Sequence, residues 1–353
     1  MNYYIIINSL IGGGTEKVCC QISSRLSQDK NDVTIFVLDD EGSSYEVSDK
    51  VKIVYLGKTS TLKSFWKLKK VLKDINGHSV LIFNHELSLV ALLIKKLFKY
   101  NVKIISRINN TLSVTIKHKS KKYQYVVSPL MKAFYRYIDG YIFQSTGIQK
   151  DMNDNYSVNE RYVVINNPIE RFKSDVDKEV KKENYILYVG RLVKQKNVKD
   201  TIKAFSLFLN TFPDYKLVIV GDGPEKESLM QLSRKLGIES NVSFAGHQKN
   251  TKPYYENAKL TVLSSFNEGF PNVLLESILY RTPIVSYDCP SGPRDIINDH
   301  NGILVEYLSV EKLAEAMSFC INKSWNYNGI YHTTEKYSLE KITSQYEKFI
   351  KSI

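Results

Sequence analysis

The sequence predicts an α/β protein made of two Rossmann-like domains, each a parallel sheet covered on both faces. Three observations carry this reading. The chain has 353 residues, enough for two domains of ordinary size. Apolar strands, Gly-bearing turns and helical stretches alternate along it. The same rhythm begins afresh after Asn167-Pro168. Parallel strands need crossovers, and crossover helices cover the sheet faces, so this alternation is the pattern a parallel sheet leaves in sequence.

The elements follow in order. In the first half, apolar runs read as strands at 3–8, 33–38, 51–55, 80–83, 102–106, 141–144 and 162–165. Stretches 15–26 and 62–75 repeat apolar residues at three and four, the helical period. In the second half, strands read at 185–189, 216–220, 242–244, 260–263 and 283–287, with helices at 198–210, 225–236, 272–280 and 310–322. A charged, weakly apolar stretch, 170–184, separates the halves. The segment 338–353 is an amphipathic helix with no strand after it. The domains are therefore drawn at 1–168 and 169–337, with 338–353 as a terminal helix.

Composition narrows the classes. At 43% apolar and 12% aromatic residues the chain can bury real cores, which argues against disorder. The net charge of +12 is lopsided. Residues 1–168 carry 24 Lys and Arg against 14 Asp and Glu, whereas 169–353 carry 25 against 23. An anionic partner for the first half is expected: membrane lipid, phosphate-bearing substrate or nucleic acid. Cys19, Cys20, Cys289 and Cys320 have no zinc-like spacing and read as reduced thiols of a cytosolic enzyme. The apolar start is too short for a secretory signal. The longest apolar candidate, 80–98, is broken by Asn84, His85, Glu86, Lys95 and Lys96, so no membrane span is expected.

The most informative segment is Ser265-Phe-Asn-Glu-Gly-Phe-Pro-Asn-Val-Leu-Leu-Glu276. It reads as the end of a buried strand, a tight loop and a helix opening near Pro271, where a missing N–H costs nothing. The amides of Phe270, Asn272 and Val273 would then face an anion at the helix start. Glu268 and Glu276 stand on either side, suited to polyol hydroxyls. Such a cradle fits a diphosphate joined to a sugar. A bland reading, with Glu276 as a solvated helix residue, stands beside it.

A second motif is Tyr188-Val-Gly-Arg-Leu-Val-Lys-Gln-Lys-Asn197. Its strand ends at Gly190, which places Arg191 at the carboxyl edge, where open sheets bind ligands. Arg offers a planar fork for phosphate and Lys a point charge. Lys194 reads as solvated. A third signal, Ile11-Gly-Gly-Gly-Thr-Glu16, follows the first strand. Lys17 replaces the last Gly of a dinucleotide fingerprint, and no Gly-Lys-Ser/Thr follows, so it is neither that fingerprint nor a Walker loop. Val220-Gly-Asp-Gly-Pro224, Phe244-Ala-Gly-His247 and Cys289-Pro-Ser-Gly-Pro-Arg-Asp-Ile296 end further strands. The last also reads as a plain turn capping a helix, with Asp295 in the first turn.

These segments resemble the retaining GT-B glycosyltransferases of family 4. The 265–276 segment looks like the family's Glu-x7-Glu motif, and 188–197 its Gly-Arg-Leu…Lys segment. Gly12-Gly13-Gly14-Thr15-Glu16 resembles its Gly-Gly-(Ala/Thr)-Glu turn. Segment 289–296 resembles the Cys-Pro-Ser-Gly-Pro-Arg-Glu variant of bacterial surface-polysaccharide transferases, with Asp295 in the Glu place. The resemblance covers nearly the whole chain and implies two sheets facing an interdomain cleft, with the terminal helix crossing back to the first domain. It implies Arg191 and Lys196 on the donor diphosphate, Glu268 on the hexose and transition-state charge, and Glu276 on the ribose. Gly13, Gly14, Gly190, Phe270, Pro271, Asn272 and Val273 complete the donor site. It also implies retention of anomeric configuration, closure that expels water, and no metal or other cofactor.

One departure is expected to matter. Many members carry a pocket His after the strand corresponding to 102–106, where this chain has Ser106-Arg-Ile-Asn109-Asn110. Asn109 can bond a sugar or acceptor but cannot relay a proton at neutral pH; His85 and His118 are the substitutes. The basic stretch with Lys117, Lys119, Lys121 and Lys122, and the helix face with Lys63, Lys67 and Lys70, read as a patch for an anionic membrane or a lipid pyrophosphate, or as an ordinary solvated face. No nucleic-acid-binding motif is recognised. The expected function is transfer of a hexose or N-acetylhexosamine from a nucleotide sugar, UDP-Gal, UDP-GalNAc or UDP-GlcNAc, to a glycan acceptor. That acceptor is expected to be lipid-linked, at the cytoplasmic face of a bacterial inner membrane. Alternatives are a GT-B nucleotide-sugar epimerase, a glycosidase built on paired carboxylates, and a non-enzymatic basic module binding membrane or nucleic acid.

Overall fold

The computed structural model describes residues 1–57, 63–117, 120–121, 123–171 and 181–353. Two compact units emerge: Met1–Glu170 together with Tyr337–Ile353, and Arg171–Lys336.

The first unit runs β1 (Asn2–Ile7), α1 (Gly14–Gln28), β2 (Asp32–Val37), β3 (Val51–Tyr55), α2 (Phe65–Asp74), β4 (Ser79–Ile82), α3 (His85–Phe98), β5 (Lys103–Ile108), α4 (Leu112–Lys117), α5 (Ser128–Phe134), β6 (Gly140–Phe143), α6 (Thr146–Asn155) and β7 (Tyr162–Val164). Its seven strands lie in the order β3-β2-β1-β4-β5-β6-β7, all pairs parallel. Buried Ile, Val and Leu alternate between two cores, one on each face. One holds Leu68, Leu72, Leu87, Ile104 and Tyr141; the other holds Ile5, Ile7, Val18, Ile22 and Ile35.

The second unit runs β8 (Glu183–Val189), α7 (Val198–Phe208), β9 (Lys216–Val220), α8 (Lys226–Lys235), β10 (Val242–Gly246), α9 (Lys252–Asn257), β11 (Ala258–Leu263), α10 (Asn272–Leu279), β12 (Ile284–Tyr287), α11 (Pro293–Ile296), β13 (Gly302–Val305), α12 (Val310–Asn322) and α13 (Tyr327–His332). Its sheet order is β10-β9-β8-β11-β12-β13, again parallel throughout. The last helix, α14 (Leu339–Ser352), belongs to the first unit. Its Ile342, Tyr346 and Ile350, four apart, enter the core beside α1.

Four differences from the sequence reading have local causes. Strand β5 continues to Ile108, so Arg107 lies inside it, fully buried. The helix read at 62–75 starts at Phe65, and residue 62 lies outside the described residues. Helices α4 and α5, not among the helices read from sequence, lie on either side of the basic stretch that begins at Lys117. Strand β13 is not among the strands read from sequence, because four residues opening on Gly carry little β signal. Its Gly302 lets the backbone approach Ile284, whose carbonyl oxygen a Cβ would meet at 2.5 Å.

Both sheets reverse their strand order once, between β1 and β4 and between β8 and β11. At such a switch point the loops leaving the carboxyl ends part in opposite directions and open a crevice, the usual ligand position of an open α/β sheet.

Candidate active site

The two motifs of the second unit flank its switch point. Gly190 to Asn197 leaves β8, and Ser264 to Pro271 leaves β11. The loops are stitched together. Phe266 donates its amide to the Gln195 carbonyl (2.9 Å), and the Gln195 side-chain amide donates to the Asn267 carbonyl (2.9 Å). Lys196 Nζ lies 2.6 Å from Glu268 Oε1, which also accepts from Ser265 Oγ at 2.6 Å. Glu268 is 6% exposed, so its charge is held by an ammonium and a hydroxyl rather than by water. Arg191 is exposed at the same edge, as is Lys194.

Backbone contacts fix the Arg191 loop. Leu192 donates to the Asp222 carbonyl (2.9 Å) and Glu225 to the Leu192 carbonyl (2.9 Å). The approach demands Gly221, where φ is +139° and a Cβ would stand 1.9 Å from the Gly190 carbonyl oxygen. Beneath the loop, the fully buried Tyr188 hydroxyl has no hydrogen-bond partner among the described residues. Burial pushes its pKa up, the Glu268 charge adds to that, and Arg191 opposes it.

The start of α10 differs slightly from expectation. Pro271 caps the helix from outside (φ −76°, ψ 105°) and Asn272 is its first residue. Phe270 is buried, and the Leu274 amide is taken by the Pro271 carbonyl (3.0 Å). Eight residues after Glu268, Glu276 is half-buried and accepts from the Tyr255 hydroxyl at 3.3 Å. Segment 289–296 buttresses this loop. The Pro290 carbonyl accepts from the Glu268 amide (3.3 Å), and a Cβ on Gly292 would meet Pro271 Cδ at 2.7 Å. Arg294 pairs with Asp288, and Asp295 sits in the first turn of α11.

In the first unit the Gly-rich loop follows β1 at the other switch point. Gly13 caps α1, but its amide and carbonyl both bond the Tyr45 hydroxyl, at 3.0 and 2.9 Å; Gly14 opens the helix. Asn109 follows β5 with both ends of its side chain engaged. It accepts from Arg107 Nη1 and donates to the Phe83 carbonyl (2.8 Å). Arg107 also donates to Tyr346 Oη and Asn167 Oδ1, at 2.6 Å each. His85, first residue of α3, has its Nε2 2.8 Å from the Tyr123 hydroxyl. His118, Lys119 and Lys122 lie outside the described residues. Lys117 and Lys121 are exposed, as are Lys63, Lys67 and Lys70.

Comparison with known proteins decides the family. A model described as "Glycosyltransferase Family 4" matches residues 12–171, and one described as "Glycosyl transferases group 1" matches 170–336. The amylovoran biosynthesis glycosyltransferase AmsD of Erwinia amylovora is 30% identical over 311 residues, covering 85% of this chain and 84% of its own. The chain belongs to the family 4 and group 1 glycosyltransferases. A Campylobacter jejuni α-1,4-N-acetyl-D-galactosaminyltransferase named for an undecaprenol-diphosphate-linked substrate is 28% identical over 340 residues, covering 91% of this chain and 89% of its own. Among solved structures, the lipopolysaccharide outer core galactosyltransferase WaaB superposes with TM-score 0.78 at 23% identity, 99% of each chain covered. Anabaena HepE in complex with UDP gives 0.79 at 18% identity, 100% of each covered. The fold is GT-B, and the chain is a hexosyltransferase.

In this glycosyltransferase several groups escaped sequence reasoning. Gln195 and Ser265 lie inside the quoted motifs, but nothing in their spacing marks them as loop ties. Tyr255, which meets Glu276, and Tyr307, whose hydroxyl donates to the Phe266 carbonyl at 2.9 Å, are set by tertiary packing alone. Among the described residues, no group of three His, Cys, Asp or Glu could hold a metal ion. No helix among them is long and apolar enough to cross a membrane.

Proposed function

We propose that this glycosyltransferase moves a hexose or N-acetylhexosamine from a UDP-sugar (UDP-Gal, UDP-GalNAc or UDP-GlcNAc) to a lipid-linked glycan, with retention of anomeric configuration and without a metal. The second unit binds the donor. Arg191 and Lys196 neutralise the diphosphate as it leaves, aided by the amides at the start of α10. Glu268 holds the hexose hydroxyls and the developing positive charge of the sugar, and Glu276 the ribose. The first unit binds the acceptor near Asn109 and His85. The leaving phosphate oxygen takes the acceptor proton, so no protein base is needed there. The setting is bacterial surface polysaccharide synthesis at the cytoplasmic face of the inner membrane.

The observation that carries this reading is the Lys196–Glu268 contact at the β8/β11 switch point, which sets a cation and a buried carboxylate side by side beside Arg191. Relatives support it: the Campylobacter protein's name gives a lipid-linked substrate, and HepE was solved with UDP. The test is incubation of each labelled UDP-sugar with membrane-extracted lipid acceptors. The expected result is label from one UDP-sugar in the organic phase, abolished by Glu268→Ala. Sugar turnover at the same rate without acceptor would instead indicate an epimerase or hydrolase.

A further inference from the structure

Arg107, inside β5, is fully buried, yet no carboxylate pairs with it among the described residues. A guanidinium keeps its charge in a protein interior. Burying it among neutral groups is costlier than filling the same space with an apolar side chain, so packing alone does not explain it. Its lost water is replaced by neutral oxygens, one for each nitrogen. Nε donates to the Tyr346 hydroxyl (2.6 Å), Nη2 to Asn167 Oδ1 (2.6 Å) and Nη1 to Asn109 Oδ1. The Phe83 ring centroid stands 5.0 Å from Arg107 Cζ, a cation–π contact. Tyr346 and Asn167 are buried, and the Asn167 oxygen also accepts from the Gln144 amide (2.6 Å). Asn109 differs. It is half-buried, just past the carboxyl end of β5, and it donates to the carbonyl of Phe83, just past β4 (2.8 Å). The two ends of its amide thus meet opposite partners. A guanidinium only donates and a carbonyl only accepts. Turning the amide over would set N–H against N–H and oxygen against oxygen. Arg107 therefore fixes which way Asn109 faces, and the second N–H of the amide has no partner among the described residues.

We propose that Arg107 is a positioning residue of the acceptor site, which holds Asn109 as a hydrogen-bond donor to an oxygen of the acceptor sugar. The guanidinium pulls on the amide oxygen and so strengthens the remaining N–H as a donor. The group it recognises is an oxygen with a free lone pair, a hydroxyl, ring or carbonyl oxygen, and not an ammonium, which can only donate. The same polarity prevents Asn109 from taking a proton, in agreement with transfer of the acceptor proton to the leaving phosphate. Tyr346, from α14, and Asn167, from the segment after β7, anchor the guanidinium from behind. This inference rests on the reading that puts the acceptor near Asn109, and adds to it the polarity of that contact and the residue that sets it.

The test uses the full chain, the UDP-sugar that labels membrane-extracted lipid acceptors, and steady-state rates with the acceptor varied. Arg107→Lys keeps the charge but lacks the fork that reaches all three oxygens. Arg107→Lys and Asn109→Ala should each lower kcat/KM for the acceptor at least about tenfold, through lost positioning, while the Kd for UDP stays within about twofold. In the Asn109→Ala chain, adding Arg107→Lys should cost less than about twofold more, because the guanidinium acts through the missing amide. Tyr346→Phe removes another hydrogen bond of the same buried group but leaves Asn109 held. It should lower Tm and yet keep acceptor kcat/KM within about threefold, whereas a merely structural Arg107 would lose activity in step with Tm in both variants. Asn109→Asp keeps the shape and an oxygen on Arg107 but loses the N–H, so acceptor kcat/KM should again fall at least about tenfold. That variant leaves Arg107 in place and decides the polarity even if Arg107→Lys does not fold. In the nitrogen-labelled chain without substrates, Arg107→Lys should bring the two Asn109 amide protons together in the spectrum and speed their exchange with water. Additive losses in the double variant, a Tyr346→Phe loss equal to that of Arg107→Lys, full activity of Asn109→Asp, or an Asn109 amide unmoved by Arg107→Lys would each overturn the proposal. Full activity of Asn109→Ala would instead remove the acceptor placement itself, and this inference with it.

Discussion

Lys196 Nζ and Glu268 Oε1 stand 2.6 Å apart although 72 residues separate them. The contact exists because β8 and β11 are neighbours in the sheet while their loops diverge in sequence. It ties the two motifs of the proposed donor site into one electrostatic unit. Ser265 Oγ, on the same carboxylate oxygen, completes the arrangement.

Removing the ammonium strands a buried carboxylate. Lys196→Ala should therefore lower stability by about 3 kcal/mol, measured by urea unfolding. Adding Glu268→Gln should recover much of that, because the uncompensated charge disappears. If the two substitutions simply added, the pair would not be coupled.

Arg191 and Lys194 are both exposed and three residues apart, so bulk electrostatics treats them alike. The proposed donor site does not. Arg191→Ala should weaken UDP binding at least about tenfold, and Lys194→Ala less than about threefold, in calorimetric titrations. Neither should change stability by more than about 0.5 kcal/mol. Equal losses would mean that the guanidinium does not meet the phosphates.

The sequence makes much of this site legible, because its chemistry rests on contiguous segments with strong local grammar. A strand ending in Gly190-Arg191 and a Gly-Phe-Pro loop entering a helix both announce themselves, and the strand–helix rhythm carries the α/β class. What stayed hidden depends on pairing between distant segments. The Pro290 carbonyl under Glu268, Tyr255 on Glu276, and Arg107 shared by Tyr346, Asn109 and Asn167 have no local signature. β13 escaped for the opposite reason: four residues opening on Gly carry too little β signal, and its burial against β12 decides.

Gly221 is legible as a turn residue, but its necessity is not. A Cβ there would stand 1.9 Å from the Gly190 carbonyl oxygen, at φ +139°. Gly221→Ala should cost about 2 kcal/mol or more and displace the loop bearing Arg191. UDP affinity should fall with stability, although residue 221 supplies no charge. An unchanged UDP affinity would show that the loop can absorb the shift.

Lys182 offers a pH test outside the donor site. Its ammonium donates to the Glu256 carbonyl (2.8 Å) and Thr282 Oγ1 (2.7 Å), while burial lowers its pKa to about 7 from 10.5. The unfolded chain therefore binds more protons than the folded one between about pH 7 and 10.5. Stability from this group should rise with pH across that window, by up to about 1.4 kcal/mol per unit. Below pH 7 the penalty is fully present. The stability difference between wild type and Lys182→Met, followed from pH 6 to 9 by denaturant unfolding, should shift in favour of wild type as pH rises. A pH-independent difference would contradict the lowered pKa.

The most direct test of the donor site is unfolding of the wild-type chain against a panel of UDP-, GDP- and ADP-sugars. The account predicts that a UDP-sugar at about a hundred times its Kd adds about 2.7 kcal/mol, and that Arg191→Ala at the same concentration loses about half of this or more. A flat response to every nucleotide sugar, or stabilisation indifferent to Arg191, would contradict it.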